Sequence, residues 1–287
     1  MANPTTSSNV TLAIAQTSQY VAEIWSREIQ QPFEMALQAK KLVQDRSGLA
    51  KGGGDIVRIP FTSHISARAK AAATDVTFDS PEGTPIALNI DKHYYAAVKI
   101  EDIAKIQANY DLKAAFMSRM AYALAHQIDD DLLGLYASVG STVAGGAAID
   151  DADILSVVTV FDLASTPTDL RRGVVGPYTK ADLSGVNKYV AYDQTGKIGL
   201  AVDKSGGLVA NIYDMDIYMS QNVVTDTTGR NLFFHKNALN FAQQLAPKFE
   251  TQYMVKSLAW ETVAHTIYGV GVERSASFVA LTRTTAP

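Results

Sequence analysis

Lys51-Gly52-Gly53-Gly54 is the first stretch whose residue types could do chemistry, because backbone N–H groups of a glycine-rich loop can cradle a phosphate. That chemistry also needs a Gly-Lys-Ser/Thr end opening a helix, which is absent; the residues that follow alternate like a strand, so the glycines read as a tight turn. Gly269-Val270-Gly271 resembles the front of a dinucleotide fingerprint, yet it lacks the third glycine and leaves too little chain for such a domain, so it reads as a kink in a strand. Asp129, Asp130 and Asp131 could be a metal or acid–base cluster. On a helix, however, three consecutive side chains fan around the axis and do not converge on one ion, so solvated charge at a subunit contact is expected. His126, three residues before Asp129, is within reach of it and reads as structural. His64, His93, His235 and His265 show no metal-ligand spacing among themselves. No serine sits in a nucleophile-elbow or Ser-x-x-Lys context. There is no cysteine, which excludes disulfides, thiolate metal sites and thiol nucleophiles. The expectation is a non-enzymatic chain with no catalytic residue, no cofactor and no metal.

Composition points the same way. Hydrophobic residues are 47% and charged ones 19%, which suits an ordered protein with a sizeable core. A net charge of -4 argues against a dedicated polyanion binder, since such proteins use a basic surplus to displace counterions, but it suits a surface lying near nucleic acid without sticking to it. No signal peptide or membrane-length apolar run is visible, so a soluble protein made in the cytoplasm is expected.

The elements that would position these residues follow from periodicity. Residues 1–16 read as an extended arm, and a helical pattern then carries Tyr20, Val21, Ile24 and Ile29. A second helix restarts at Pro32 through Phe33, Leu37 and Val43. Val57, Ile59 and Phe61 alternate with polar residues, and Pro60 confines that strand to an edge or a two-stranded ribbon. Ile86, Leu88, Ile90, Tyr94, Val98 and Ile100 continue as its return strand. A two-stranded arm buries too little to stand alone and needs something to lie on. Residues 101–138 carry the strongest helical signal, with Ile103, Ile106, Tyr110, Met117, Met120, Leu124, Ile128 and Leu132 at steps of three or four and a pause at Asn109–Asp111. From 112 to 138 that helix would span about 40 Å. Residues 140–146 read as a small-residue linker, Asp150, Asp151 or Asp153 as the cap of a helix through Phe161, and 165–187 as surface loop. Short β or mixed elements are expected at 188–192, 212–219 and 231–234, a helix at 237–245, and strands across 253–282.

The order of these elements resembles the major capsid fold of tailed phages, of Hong Kong 97 type. Phe33 to Asp55 followed by Ile56-Val57-Arg58-Ile59-Pro60 resembles its arm helix, glycine turn and first extended-loop strand. Lys92-His93-Tyr94-Tyr95-Ala96-Ala97-Val98-Lys99-Ile100 is similar to the return strand entering its spine helix. Phe233-Phe234-His235-Lys236-Asn237-Ala238-Leu239 and Tyr268-Gly269-Val270-Gly271-Val272 resemble the re-entry to, and closing strand of, its peripheral domain.

The resemblance implies an α+β fold divided into an N-terminal arm with a helix (1–47), an extended loop (48–100), a spine helix of the peripheral domain (101–139), an axial domain (140–247) and C-terminal peripheral strands (248–287). It implies a virion subunit assembled in the bacterial cytoplasm, whose partners are further copies in hexamers and pentamers, a scaffolding protein and portal, a cement protein, and packaged double-stranded DNA touched non-specifically. No membrane is implied. With about 50 residues before the ribbon there is no room for an internal scaffolding segment, and no lysine–asparagine crosslink is assigned. Expected contacts between subunits are Phe61, Arg68, Lys70, Asp75, Phe78 and Glu82 on the ribbon. Arg68 and Lys70 are read as reaching an acidic patch on a neighbour in preference to nucleic acid. A bacterial nanocompartment shell shares this fold and is the first alternative; another virion component and an enzyme with an uncommon site follow.

Overall fold

The computed structural model describes residues 37–60, 65–78, 83, 85–103, 112–190, 208–225 and 228–284. The expected arm and first helix, the pause at Asn109–Asp111, and Phe61, His64 and Glu82 lie outside them. The chain order is α1 (Ala39–Leu42), β1 (Gln44–Asp45), α2 (Ser47–Ala50), β2 (Ile56–Ile59), β3 (Ile86–Asn89), β4 (Lys92–Glu101) and the long helix α3 (Leu112–Leu133). A 3-10 turn (Gly134–Ser138) leads to β5 (Ser141–Ala144), α4 (Asp151–Leu163), β6 (Arg171–Val175), α5 (Pro177–Gly185) and α6 (Asn187–Val190). The chain ends with β7 (Leu208–Ile212), β8 (Met215–Met219), β9 (Thr228–His235), β10 (Leu239–Met254), β11 (Ala259–Val272) and β12 (Phe278–Thr284).

Two sheets carry the architecture. The first has four strands in the order β1-β10-β11-β4, antiparallel except for the short parallel β1–β10 pair. Its inner parity is Tyr94, Ala96 and Val98 on β4 with Ala264 on β11, and α3 lies across this face through Met117, Met120 and Leu124. The steps of three and four between those helix residues keep them on one stripe. Alternation leaves His93, Tyr95, Ala97 and Lys99 on the exposed parity of β4.

The second sheet has six strands in the order β5-β12-β9-β6-β8-β7, and both its faces are covered. Phe233, Val279 and Leu281 point to one side, where Ile154, Val157 and Phe161 of α4 pack on them. Their chain neighbours Leu232, Phe234, Phe278 and Ala280 point to the other side, into a seam shared with Ile128 and Leu132 of α3 and with Phe241 and Tyr268 of the first sheet. Period-two alternation thus divides each strand between two cores. Asp150 caps α4 with a reciprocal box: its carboxylate accepts from Asp153 N–H at 3.1 Å, and the Asp153 carboxylate accepts from Asp150 N–H at 3.1 Å.

Several sequence expectations are corrected. Residues 237–245 are not helical: after a 3-10 turn (Lys236–Ala238) they enter β10, where Leu239, Asn240, Phe241 and Ala242 are all buried. Burial on both faces erases the periodicity that would have marked a strand, and pairing with β11 overrides the helical preference of Ala, Gln and Leu. Residues 165–187 are not surface loop, since they contain β6, which pairs with β8 and β9 inside the sheet, and α5, with Pro177 in its first turn. The supposed linker 140–146 contains β5, paired in parallel with β12. Of the short β or mixed element expected at 188–192, the described part is helical, Asn187–Val190. Helix α3 ends at Leu133 and its 22 residues span about 33 Å. Within the expected 33–43 helix, the described helical part is Ala39–Leu42, and Val43 is already extended.

The sheets also cross the expected boundary at 247/248. Strand β10 lies in the four-stranded sheet over its whole length, while β12, expected among the peripheral strands, belongs to the six-stranded sheet with β5 and β9. Pairing between residues far apart in sequence decides this, and a linear partition cannot express it.

Candidate functional site

Among the described residues, those of the ribbon have little core of their own. Strands β2 and β3 pair antiparallel from Ile56↔Asn89 to Ile59↔Ile86. The return strand does not continue in that pairing. It breaks at Ile90 and Asp91, and β4 then pairs with β11 of the main sheet, from Lys92↔Tyr268 to Glu101↔Ala259. Among the described residues the two-stranded part is confined to β2 and β3, and its root is anchored. Leu88 and Ile90 pack with Ala50 and Ala242, and Gln244 Nε2 donates to Gly54 O at 3.0 Å. Gly53 and Gly54 turn the chain into the ribbon at φ of 86° and 99°, values a side chain disfavours. Gly269 is required for a different reason: a Cβ there would sit 2.1 Å from the carbonyl oxygen of Asn89, so β11 can pass under the ribbon root only without a side chain.

Beyond that root, every residue from 65 to 78 is exposed. Arg68, Lys70, Asp75 and Phe78, four of the predicted contact residues, all lie in this segment, where Phe78 is 89% exposed and Ile65 and Val76 are exposed too. Arg68 and Lys70 are both exposed and lie in no helix or strand. They converge on no catalytic centre.

The acidic triplet is not the solvated patch its sequence suggested. Asp129 is 1% exposed, and its carboxylate accepts the Gln38 and Lys40 N–H groups, each at 3.4 Å, at the start of α1. Burial pushes its pKa up, and those N–H bonds only partly offset the rise. Asp131 accepts from Tyr268 Oη at 2.6 Å and pairs with Lys92 at 3.4 Å, while His126 meets Asp130 at 3.0 Å instead of Asp129. The helix does fan the three carboxylates apart, as expected, but towards partners within the chain. Asp130 and Asp131 line a 380 Å³ cleft at the ribbon root, with Asn89, Asp91 and Lys92.

Other polar groups are likewise committed to structure. Burial tends to raise the Asp151 carboxyl, but bonds from Lys188, Tyr189 and Tyr213 outweigh it and pull the pKa to about 2. Burial lowers the His235 pKa, Arg274 and Arg171 lower it further, and Asp169 opposes them. His93 and His265, which sequence spacing kept apart, meet edge-on across β4 and β11 at 5.6 Å. A cross-strand diagonal is invisible in spacing along the chain. Among the described residues no group of three His, Asp or Glu could hold a metal ion, and no helix is long and apolar enough to cross a membrane.

No protein-family model matches the chain, and no curated protein does. Solved structures do match it. A structure from Mycobacterium phage Che8 is 24% identical, with a TM-score of 0.78 over 93% of this chain and 98% of that one. The capsid structure of the cyanophage P-SCSP1u is 17% identical, with a TM-score of 0.76 over 99% and 100% of the two chains. The asymmetric unit of the bacteriophage PhiM1 mature capsid is 14% identical, with a TM-score of 0.74 over 93% of each chain. The similarity covers nearly the whole chain, which therefore has the phage capsid fold that its sequence resemblance to the Hong Kong 97 type implied.

Proposed function

We propose that this chain is the major capsid protein of a tailed bacteriophage, a non-enzymatic subunit whose identical copies form the hexamers and pentamers of an icosahedral head around double-stranded DNA. The observation that carries the reading is the exposed segment 65–78, which holds Ile65, Val76 and Phe78 in water at 62%, 57% and 89% exposure. Burying a large apolar side chain is worth about 1.5–3 kcal/mol, so a neighbouring copy that covers this segment gains stabilisation the isolated chain cannot supply. Repeated around a closed shell, contacts that are individually weak become collectively strong. A net charge of -4 suits a wall that encloses DNA without binding it tightly. Assembly in the host cytoplasm with a scaffolding protein and a portal, and a cement protein outside, completes the expected set of partners.

Deleting residues 67–82 tests the reading. Electron microscopy of the expressed protein, with and without a candidate scaffolding protein, should show shells for the intact chain and a soluble folded monomer for the deletion. Normal shells from the deletion would refute it.

A further inference from the structure

Besides the long connection through α3 from β4 to β5, the two sheets are joined covalently by short crossings: Lys236–Ala238 between β9 and β10, and the turn around Ser275–Ser277 between β11 and β12. Turns of this length can bend, so packing across the shared seam must hold the angle between the sheets, and one segment adds directional bonds to that packing. The chain supplies it from far away in sequence. Residues 38–46 lie in the seam and are bonded to both sides.

On one side, Arg172 of β6 donates Nη1 to Leu42 O at 2.7 Å and to Lys41 O at 3.4 Å, tying the segment to the six-stranded sheet. On the other, β1 pairs with β10, Gln44↔Asn240 and Asp45↔Phe241, and Arg46 N donates to Phe241 O at 2.7 Å. Asp129 holds the start of α1 against α3. Arg46 reaches Glu273 at 3.1 Å, beside the β11–β12 crossing itself. Ala39, Leu42 and Val43, each no more than 4% exposed, fill the seam between the sheets. A guanidinium spent on two backbone carbonyls is a directional bond, and it fixes orientation as well as proximity.

We infer that residues 38–46 are an internal clasp, locked by Arg172, that sets the angle between the two sheets and with it the curvature each subunit brings to an assembly. The angle itself is a property of one chain; only its consequence for curvature rests on the shell reading. Adjustment between different positions in a shell then falls to the ribbon and its Gly53-Gly54 root, not to the seam.

The chain has no cysteine, so paired labels can be placed without background. Ser184→Cys on α5 and Gln252→Cys on β10, both at exposed positions, report the distance between the sheets by pulsed electron spin resonance. The expected result is a single narrow distribution in the parent, at least a doubling of its width in Arg172→Met, and partial recovery in Arg172→Lys, which can still donate to a carbonyl. Leu42→Ala, which empties the seam without touching the arginine, should broaden it too. Amide exchange within each sheet should stay unchanged. An unaltered width in Arg172→Met, or protection lost together throughout both sheets, would overturn the clasp. In shells, Arg172→Met should produce more than one diameter where the parent gives one, and unaltered diameters would overturn the link to curvature. A parent that forms no shells defeats the capsid reading, while the distance measurement still decides the clasp.

Discussion

Replacing Asp129 separates two roles that a buried carboxylate can have, acceptor and charge. The side chain is 1% exposed and accepts two backbone N–H groups, from Gln38 and Lys40. Asp129→Ala leaves both donors without this partner, the Gln38 N–H in a buried position and the Lys40 N–H in a partly buried one. Each unsatisfied buried donor costs about 1–3 kcal/mol, so a loss of roughly 2–4 kcal/mol is expected after partial relaxation. At about 2–4 °C per kcal/mol for a chain approaching this size, the melting temperature should fall by roughly 4–16 °C. Asp129→Asn keeps one acceptor and removes the charge whose burial is unfavourable, so at neutral pH it should lose much less. The pH dependence has a definite sign. The folded pKa is raised above the unfolded value of 3.8, so the folded state holds this proton more tightly. The contribution is fully present below the unfolded pKa and is lost as pH rises through the folded pKa. Urea unfolding of the three proteins between pH 4 and 7 measures it: the parent-minus-Asn stability difference should decline as pH rises. If Asp129→Ala unfolds at the parent's midpoint, or Asp129→Asn loses as much as Asp129→Ala, the account of this site is wrong.

Two further substitutions probe the ribbon from its ends. Gly269→Ala would place a methyl 2.1 Å from the Asn89 carbonyl oxygen, a backbone atom that cannot swing aside, so β11 and the ribbon root must separate. Overpacking of this kind costs about 1–3 kcal/mol, and amide exchange should show the loss concentrated in β3 and the facing part of β11. Phe78→Ser removes a ring that is 89% exposed, so monomer unfolding should stay within about 0.5 kcal/mol of the parent while shell yield falls in sedimentation. Parent-like yield would remove Phe78 from the contact surface.

Much of the architecture could be read from local pattern. The long helix announced itself through Met117, Met120, Leu124, Ile128 and Leu132, because one of its faces is buried and the other wet. The ribbon was legible from the glycine turn and the alternation around Val57 and Ile59, and the cap of α4 from its aspartates. Signals failed where burial was complete. Strand β6, Arg-Arg-Gly-Val-Val, looks like a surface segment, yet Arg171 is 3% exposed because Asp162 and the carbonyls of Thr166 and Pro167 take up its guanidinium. A buried charge is tolerable only when such partners exist, and they are contributed by the fold.

By itself, the amino-acid sequence determined which segments could have a wet face, where glycine must relieve the backbone, and the absence of any thiol chemistry. Those are properties of neighbours along the chain. Tertiary structure alone decided that β12 joins β9 instead of β11, that β4 leaves the ribbon for the main sheet, and that Asp129 is an interior anchor for α1. Each of these depends on partners tens to more than a hundred residues away, and the free energy of a buried pair belongs to the meeting of two surfaces, so neither surface carries the mark of it in advance.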